Sequence, residues 1–429
     1  MSRLSANLAE LEATDSTVSV AIIGAGRIGR SIAIGSEQLD GVDVTTIADI
    51  RLDVAQDAFE TMGYDHETVA VVDSISRGDT ALSNGRRVVT EDALAPPQMD
   101  GIDVVIAATG VPQIGAKVAT RAIHNGTHVV MLTDEADAVV GPYLSEMAES
   151  AGVVYTGAAG DEPGSIMELY DFADSLGFDI VAAGKGKNNP LDREATPETL
   201  EAEAKEKDLN PEIYTAFVDG TNSMLEMTMV ANATGLSADR RGMHGPEVSD
   251  VSELADVFNS ESDGGILSED GVVDFALGGG VAPGVFVVVT TDNETIREDL
   301  NYLKMGNGPN YVLHRTYHIP TIEPLLSAAR AELTGDAYVI PDKPVADTVT
   351  IAKRNLDPGE EIDGIGGHTV YGLTENANVA TENDFVPISL VEGATVTAEV
   401  EKGEPLTYDD VELDETELLH LRKLQDEYF

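Results

Sequence analysis

The sequence contains no cysteine. Disulfide bonds and thiolate metal centres are therefore excluded, and so is any mechanism in which a cysteine is the nucleophile. Long apolar runs are missing as well, since none approaches the roughly 18 residues that a membrane-spanning helix needs. Residues 1–16 lack the apolar core of a signal peptide and are predicted to form a short helical arm. We expect a cytoplasmic protein without a membrane partner.

Basic residues are scarce. The 429 residues include 26 Lys and Arg, of which ten are lysines, against 77 Asp and Glu, and the formal charge is −51. Nucleic acid is disfavoured as a partner because no basic stripe is present. Like charges at this density repel one another, and concentrated salt screens the repulsion. The composition predicts adaptation to a salt-rich cytoplasm. A nucleic-acid mimic would explain the acidity but not the dinucleotide motif described next.

The most informative motif is Gly24-Ala25-Gly26-Arg27-Ile28-Gly29, the glycine loop, which follows the apolar run Val18–Ile23. In such a loop the first glycine permits a tight turn, the second leaves room for a pyrophosphate, and the third lets helix and strand pack closely. The following helix directs its free N–H groups at the ligand. We predict that Gly24, Gly26, Arg27, Ile28 and Gly29 bind NAD or NADP. The alternative is a structural strand–helix turn.

Two residues bear on the choice between the two coenzymes. Asp49 ends a second apolar run, about twenty residues after the glycines, where a carboxylate is expected on the ribose hydroxyls. Asp49 favours NAD, whereas Arg51 can hold the 2′-phosphate of NADP. The choice stays open.

Strand–helix alternation continues through residue 163. Apolar runs at 103–110, 128–132 and 153–156 predict further parallel strands. Ligands of such sheets lie beyond the carboxyl ends of the strands, so Thr109 and Gly110 are expected beside the cofactor. Residues 58–100 are interpreted as a long polar insertion on the adenosine side. We predict an α/β fold with a Rossmann doubly wound parallel sheet over residues 17–163.

The composition changes beyond residue 163. Residues 164–340 are predicted to form an α+β catalytic and substrate domain, which ends in a helix over residues 322–333. Residues 341–429 are predicted to form a small all-β module, with strands at 348–353 and 395–400 that each lead into a glycine-containing turn. Its expected role is structural or oligomer-forming, and the alternative is an independent ligand site. We expect a homo-oligomer.

Two of the ten lysines, Lys185 and Lys187, lie at the end of an apolar strand, beside glycines and the amide of Asn188. Close amines and amides can bind a phosphate or carboxylate, and an amine with a lowered pKa can protonate a developing alkoxide. We predict that these three residues are catalytic and act on a small anionic substrate. Lys205 and Lys207 instead lie among acidic helix neighbours, where solvated pairing explains them.

Further candidates lie in polar turns. Asp161 and Glu162 follow the last predicted sheet strand, where they can transfer protons or hold a divalent cation such as Mg²⁺ or Mn²⁺. The alternative is an acidic turn that begins a helix. Thr221 and Asn222 are predicted to contact substrate.

A strand is predicted over residues 311–317, with His318 next to it. In a continuous strand His314 and His318 would share one face, and Arg315 would lie on the other. Arginine can clamp an anionic group with two hydrogen bonds. Arg315 and His318 are therefore predicted to bind substrate. The alternative for the histidines is simple packing.

Several of these segments together resemble a known family. They are the glycine loop with Ala48-Asp49, the motifs Gly-Asp-Glu-Pro at 160–163 and Gly-Lys-Gly-Lys-Asn-Asn-Pro at 184–190, and residues 304–309 with Tyr317-His318. From about residue 17 onward the chain resembles the homoserine-dehydrogenase-like oxidoreductases with a C-terminal SAF domain, a group that includes enzymes similar to deoxyxylulose-phosphate reductoisomerase. Residues 352–360 look like the opening of the SAF domain.

The resemblance implies NAD(P)-dependent chemistry at a carbonyl or carbinol carbon, with Lys185 and Lys187 lining the substrate cleft. The predicted reaction is hydride transfer to or from a phosphorylated or carboxylated polyol or keto-sugar, with the nicotinamide facing the two lysines. One alternative is a sugar-phosphate reductoisomerase that uses a divalent metal. Another is a non-catalytic NAD(P)-binding regulator, against which the lysine pair argues.

Overall fold

The computed structural model describes residues 4–14 and 16–429, which cluster into two compact units. The first unit contains the described part of residues 1–164, together with 319–342 and 420–428. The second unit contains residues 165–318, 343–419 and 429.

A seven-stranded parallel sheet organises the first unit. Its strands are β1 (Val18–Ile23), β2 (Val42–Ala48), β3 (Val69–Val71), β4 (Arg87–Thr90), β5 (Val104–Ala107), β6 (His128–Met131) and β7 (Tyr155–Gly157). The strand order is β3-β4-β2-β1-β5-β6-β7, and every pair is parallel. Apolar side chains on both faces of β1 and β5 are buried, as in a sheet covered by helices on both sides. The predicted doubly wound Rossmann sheet is confirmed.

Helices cover this sheet. Those of the first unit up to residue 164 are α1 (Leu4–Ala13), α2 (Arg27–Gly35), α3 (Leu52–Thr61), α4 (Ile75–Ser83), α5 (Pro112–Asn125) and α6 (Asp134–Ala151), whereas α7 (Glu162–Ser175) lies almost wholly in the second unit. Ile22, Val44, Ile47 and Phe59 lie in the main apolar core between them. The predicted N-terminal helix is present as α1, whereas residues 1–3 and 15 of the predicted arm lie outside the described residues. Residues 58–100 are not a loose insertion, because β3 and β4 within them extend the sheet.

The second unit contains a mixed four-stranded sheet. Its elements up to residue 315 are β8 (Asp179–Gly186), α8 (Pro197–Glu206), α9 (Pro211–Asp219), α10 (Thr221–Thr234), α11 (Leu254–Val257), β9 (Val272–Ala276), β10 (Val285–Thr290), α12 (Glu294–Tyr302) and β11 (Asn310–Arg315). The strand order is β11-β10-β8-β9, in which only β8 and β9 are parallel. Nearly all of α10 is buried, and Met224, Met227 and Val230 pack in the core of this unit.

The remaining helices and strands follow residue 315. They are α13 (Pro324–Thr334), β12 (Ala346–Ala352), β13 (Val370–Asn376), α14 (Ala377–Glu382), β14 (Thr395–Val396), β15 (Val411–Glu412) and α15 (Glu417–Tyr428). Two antiparallel pairs form, β12 with β13 and β14 with β15. The small β-rich module predicted over 341–429 is confirmed by these antiparallel pairs. The range also contains α14 and α15, and the strand expected at 395–400 has only two residues.

Apolar helices of membrane-spanning length were not found in the part of the chain that the structure describes.

Candidate active site

The three glycines of the glycine loop differ in how much room a side chain would have. Gly24 has φ +100°, and a Cβ added there would lie 2.4 Å from the carbonyl oxygen of Ala108. A Cβ at Gly29 would lie 1.9 Å from the carbonyl oxygen of Gly24. Gly26 differs, because a Cβ there would meet nothing within 4 Å. Gly24 and Gly29 are therefore required by the protein's own packing, whereas Gly26 leaves open space in front of α2.

The glycine loop lies where the strand order of the sheet reverses. Ile23, the last residue of β1, is in register with Ala48 of β2 on one side and Ala107 of β5 on the other. The residues after these three strands therefore share the carboxyl edge of the sheet, at the point where doubly wound folds bind their ligands.

Asp49 is fixed beside the glycine loop. Its Oδ2 accepts a hydrogen bond from the Ala25 N–H at 2.7 Å, and its Oδ1 accepts one from the Arg51 N–H at 2.8 Å. The Arg51 side chain is 62% exposed and lies 3.8 Å from Asp49 Oδ1. The carboxylate is thus held at the end of β2, while the guanidinium remains accessible.

The other predicted cofactor residues lie on the same edge. Arg27 and Ile28 are the first two residues of α2, and Thr109 and Gly110 connect β5 to α5. The Thr109 N–H donates to Thr133 Oγ1 at 3.2 Å, and Gly110 has φ +62°. The residues present fit a dinucleotide, because open space at Gly26 meets the N–H groups at the start of α2. No observation yet tests these contacts, so they stay predictions.

The second unit contains a buried group of charges, here called the lysine cluster. It consists of Lys185, Lys187, Arg193, Asp219, Glu226 and Lys353. Lys185 and Lys187 are 6% and 5% exposed. Because they are two residues apart at the end of β8, they share one face. The intervening Gly186 has no room for a side chain, since a Cβ would lie 2.3 Å from the Ala282 nitrogen.

Both lysines bind to neighbouring helices. Lys185 Nζ forms an ion pair with Glu226 of α10, and Asn222 Nδ2 donates to the other oxygen of that carboxylate at 2.5 Å. Lys187 Nζ donates to the carbonyl oxygen of Phe217 in α9. The pair thus has one lysine with a counterion and one whose partner shown here is a neutral carbonyl.

Burial lowers the pKa of Lys187 to about 8, and the positive charge of Lys185 acts in the same direction. Glu226 and Asp219 oppose the shift, and Arg193 adds to it more weakly. An amine with a pKa near neutrality can both give and take a proton under working conditions. Lys187 therefore has the chemistry expected of a general acid or base.

The rest of the lysine cluster surrounds Asp219. Lys353 Nζ lies 3.0 Å from Asp219 Oδ2, and Arg193 donates to the Asp219 carbonyl oxygen at 3.0 Å. The Arg193 guanidinium also lies 5.2 Å from the ring centroid of Tyr371. Four cationic side chains in the cluster face two carboxylates. Ammonium and guanidinium groups are common partners of phosphate and carboxylate groups.

Several predicted residues lie away from the lysine pair's contacts. Asn188 is exposed just beyond β8. The Thr221 hydroxyl is fully buried and accepts a hydrogen bond from the Gly372 N–H at 3.0 Å, which gives it a structural partner. The polar turn predicted over 219–222 is the junction between two helices, since α9 ends at Asp219 and α10 begins at Thr221. The predicted roles of Asn188 and Thr221 stay predictions.

The prediction that His314 and His318 share one face of a strand is wrong, because β11 ends at Arg315. Arg315 Nη1 donates to Glu168 Oε2 at 2.9 Å and to Ser165 Oγ at 3.1 Å. The arginine is thus engaged with its own unit. Its predicted contact with substrate, and that of His318, stay predictions.

Asp161 and Glu162 lie at the start of α7, and Glu162 is its first residue. This position agrees with the alternative of an acidic helix start. Across residues 4–14 and 16–429, no group of three or more potential metal-ligating side chains is found. The divalent metal therefore stays a prediction without support from the geometry.

Sequence reasoning missed Glu226, Asp219, Arg193 and Lys353. One local signal was present for Glu226, a single acidic residue within the mostly apolar stretch 224–230 of α10, where an unpaired charge would be costly. The other three have no such signal, since their partners lie far away in the sequence.

Two family matches agree with this geometry. Residues 160–324 match the family described as Oxidoreductase DRL, catalytic domain, and residues 347–412 match the SAF domain. The chain therefore carries an oxidoreductase catalytic domain, which includes most of the lysine cluster, followed by a SAF domain that includes Lys353. The SAF domain implied by the resemblance is confirmed, whereas the homoserine-dehydrogenase-like label stays a prediction. A comparison with the curated proteins finds none that matches.

Solved structures with similarity to the chain include several oxidoreductases. A probable dehydrogenase from Thermotoga maritima is 14% identical, with 63% of this chain and 72% of that chain covered and a TM-score of 0.36. The 1-deoxy-D-xylulose 5-phosphate reductoisomerase from Zymomonas mobilis, in complex with NADPH, is 20% identical, with 50% and 58% covered and a TM-score of 0.37. Scyllo-inositol dehydrogenase from Lactobacillus casei, with bound NAD(H) and scyllo-inositol, is 13% identical, with 73% and 86% covered and a TM-score of 0.38. We infer nothing about function from similarity at this level.

Proposed function

We propose that this protein is an NAD(P)-dependent oxidoreductase. Its dinucleotide would bind at the glycine loop, and its substrate would be a small phosphorylated or carboxylated polyol or keto-sugar bound at the lysine cluster. The observation that carries the proposal is the pair of buried lysines, Lys185 and Lys187, within a region that matches an oxidoreductase catalytic domain. A buried cationic site is costly unless an anion compensates it.

Lys187 and Lys185 have different roles in the proposed reaction. When bound, the dinucleotide supplies or accepts a hydride. Lys187 gives its proton to the substrate oxygen as a carbonyl is reduced, and takes a proton back in the reverse direction. Its pKa of about 8 suits both steps. Lys185, held by Glu226, attracts the anionic group of the substrate.

The proposal is tested with the full chain in molar potassium chloride. Nicotinamide absorbance is followed with NAD(H) or NADP(H) and a panel of sugar phosphates and hydroxy acids. We expect Lys187→Ala to lower turnover roughly 10²- to 10⁴-fold, the size of a general acid–base contribution. The dissociation constant of the coenzyme should stay near that of the unmodified protein.

The matched control is Lys205→Ala, since Lys205 is an exposed lysine of the same unit. It should leave turnover unchanged. If Lys185→Ala and Lys187→Ala both retain full turnover, the proposed substrate site is wrong. If neither coenzyme binds the purified chain, the whole proposal fails. A product with altered carbon connectivity would instead show a reductoisomerase.

A further inference from the structure

Three lysines converge on one junction between two helices. Helix α9 ends at Asp219 and α10 begins at Thr221, with Gly220 between them at φ +88°. Lys187 binds the carbonyl of Phe217 on the α9 side. Lys185 pairs with a carboxylate on the α10 side.

The third lysine, Lys353, binds the junction itself and comes from the SAF domain. It is 5% exposed, and its ammonium donates to Asp219 Oδ2 at 3.0 Å and to the carbonyl oxygens of Ala195 and Gly367 at 2.9 and 2.8 Å. An ammonium has three N–H donors, so these contacts use all of them. Lys353 therefore acts through Asp219 and the junction and not by binding a ligand directly.

The Asp219 carboxylate is likewise fully engaged. Its Oδ2 holds Lys353, and its Oδ1 accepts the Thr221 N–H at 2.9 Å. Arg193 adds a hydrogen bond to the backbone oxygen of the same residue. One aspartate thus fixes the start of α10, the helix whose Glu226 pairs with Lys185 and accepts a hydrogen bond from Asn222. The charge of this aspartate is balanced by Lys353.

We propose that Lys353 is a positioning residue, through which the SAF domain controls the lysine pair of the catalytic domain. It fixes the α9–α10 junction and balances the charge of Asp219, so that this carboxylate favours the charged form of Lys187 less than it would without Lys353. The inference rests on the proposed role of that lysine pair, but its test needs neither substrate nor coenzyme.

The charges around Lys187 make the consequence measurable. The charged groups that face it are Lys185, Arg193, Glu226 and Asp219. If Lys353 loses its charge, Asp219 becomes an uncompensated buried carboxylate beside this group, and a nearby opposite charge favours the ammonium form. The pKa of Lys187 should then rise toward its ordinary value.

The experiment measures the protonation of each lysine in the full chain in molar potassium chloride. Trace acylation with acetic anhydride across a pH series, read by peptide mass spectrometry, gives a midpoint for each of the ten lysines. The variant is Lys353→Gln, whose amide can still donate to two of the same oxygens. We expect the Lys187 midpoint to rise by about one pH unit, a tenfold change in its proton affinity.

Two further variants separate charge from structure. Asp219→Asn combined with Lys353→Gln removes both charges and should return the midpoint to its original value, whereas Asp219→Asn alone should lower it. This second comparison tests the proposal even if Lys353→Gln does not fold.

Lys402→Gln is the control, since Lys402 is an exposed SAF-domain lysine paired with Glu194. It should leave the Lys187 midpoint unchanged. An unchanged midpoint in folded Lys353→Gln, or equal midpoints in Asp219→Asn and the double variant, would overturn the proposal. Loss of turnover in the earlier assay has no bearing on this result.

Discussion

The backbone N–H of Ala25 donates a hydrogen bond to Asp49 Oδ2 at 2.7 Å, which ties the glycine loop to the end of the neighbouring strand β2. The second oxygen of Asp49 accepts the Arg51 N–H. The carboxylate is therefore oriented by the protein alone, whereas the Arg51 side chain is mostly exposed and adaptable. If a coenzyme binds here, a carboxylate at this position is expected on the ribose hydroxyls of NAD, and the exposed arginine can hold the 2′-phosphate of NADP.

We expect Arg51→Ala to weaken the binding of NADP roughly tenfold, because a charge-assisted hydrogen bond contributes about 1.5–3 kcal/mol. The binding of NAD should change little. Fluorescence titration with both coenzymes measures the two dissociation constants. Arg77→Ala is the control, since Arg77 is an exposed arginine paired with Asp73 on the same unit. Equal losses for NAD and NADP would show that Arg51 does not recognise the 2′-phosphate.

Substitutions at two glycines of the loop should affect coenzyme binding and stability differently. Gly26→Val should weaken coenzyme binding at least tenfold, because its side chain enters the open space in front of α2, while stability changes by no more than about 1 kcal/mol. Gly29→Ala should instead lower stability, since its Cβ would lie 1.9 Å from the Gly24 carbonyl oxygen. Urea unfolding and coenzyme titration of both variants check the contrast. Full coenzyme affinity in Gly26→Val would place the dinucleotide elsewhere.

The sequence predicted best what is local. A strand, a glycine turn and a helix follow one another within residues 18–35, so their chemistry is visible in one short stretch. Strands β3 and β4 were missed because three or four residues are too few to show a period. The strand predicted over 311–317 ends two residues early for a related reason, since β-rich composition does not mark where pairing with β10 ends.

Only Lys185 and Lys187 of the lysine cluster could be predicted from the sequence as site residues. Lys185 and Lys187 stand out among ten lysines, but their environment depends on tertiary contacts. Glu226 lies 41 residues from Lys185 in the chain, and Lys353 lies 134 residues from Asp219. Neither separation follows from a local pattern. The lowered pKa of Lys187 arises from burial, which a sequence does not state.

Asp137 provides a test of stability against pH. It is fully buried in α6, its Oδ2 accepts the Tyr155 hydroxyl at 2.8 Å, and its Oδ1 has no hydrogen-bond partner. Burial raises its pKa from 3.8 to about 6. The folded state therefore keeps a proton between pH 4 and 6 that the unfolded state has released, so this group's contribution falls as pH rises through that window. Above pH 6 the buried charge lowers the free energy of unfolding by about 3 kcal/mol.

We expect Asp137→Asn to raise the free energy of unfolding by about 1–3 kcal/mol at pH 8 and to change it little at pH 4. Asparagine keeps a carbonyl oxygen for Tyr155 but carries no charge. Urea unfolding at the two pH values, in molar potassium chloride, measures the difference. Asp174→Asn, at an exposed position, should show no such pH dependence. A variant that is equally destabilised at both pH values would mean that the native carboxylate is not strained by burial.

The surplus of 77 acidic over 26 basic residues predicts that salt stabilises the fold. Between 0.1 and 1 M salt the distance over which charges act falls from about 10 Å to about 3 Å, so repulsion between surface carboxylates is largely screened. Thermal unfolding at a series of potassium chloride concentrations should show the midpoint rising with salt. Glu298 and Asp299 are adjacent exposed carboxylates on α12. Replacing them by glutamine and asparagine should raise the midpoint most at low salt, because it removes part of the repulsion that salt otherwise screens. A midpoint that stays constant when the salt is diluted would mean that repulsion between surface carboxylates does not destabilise this fold.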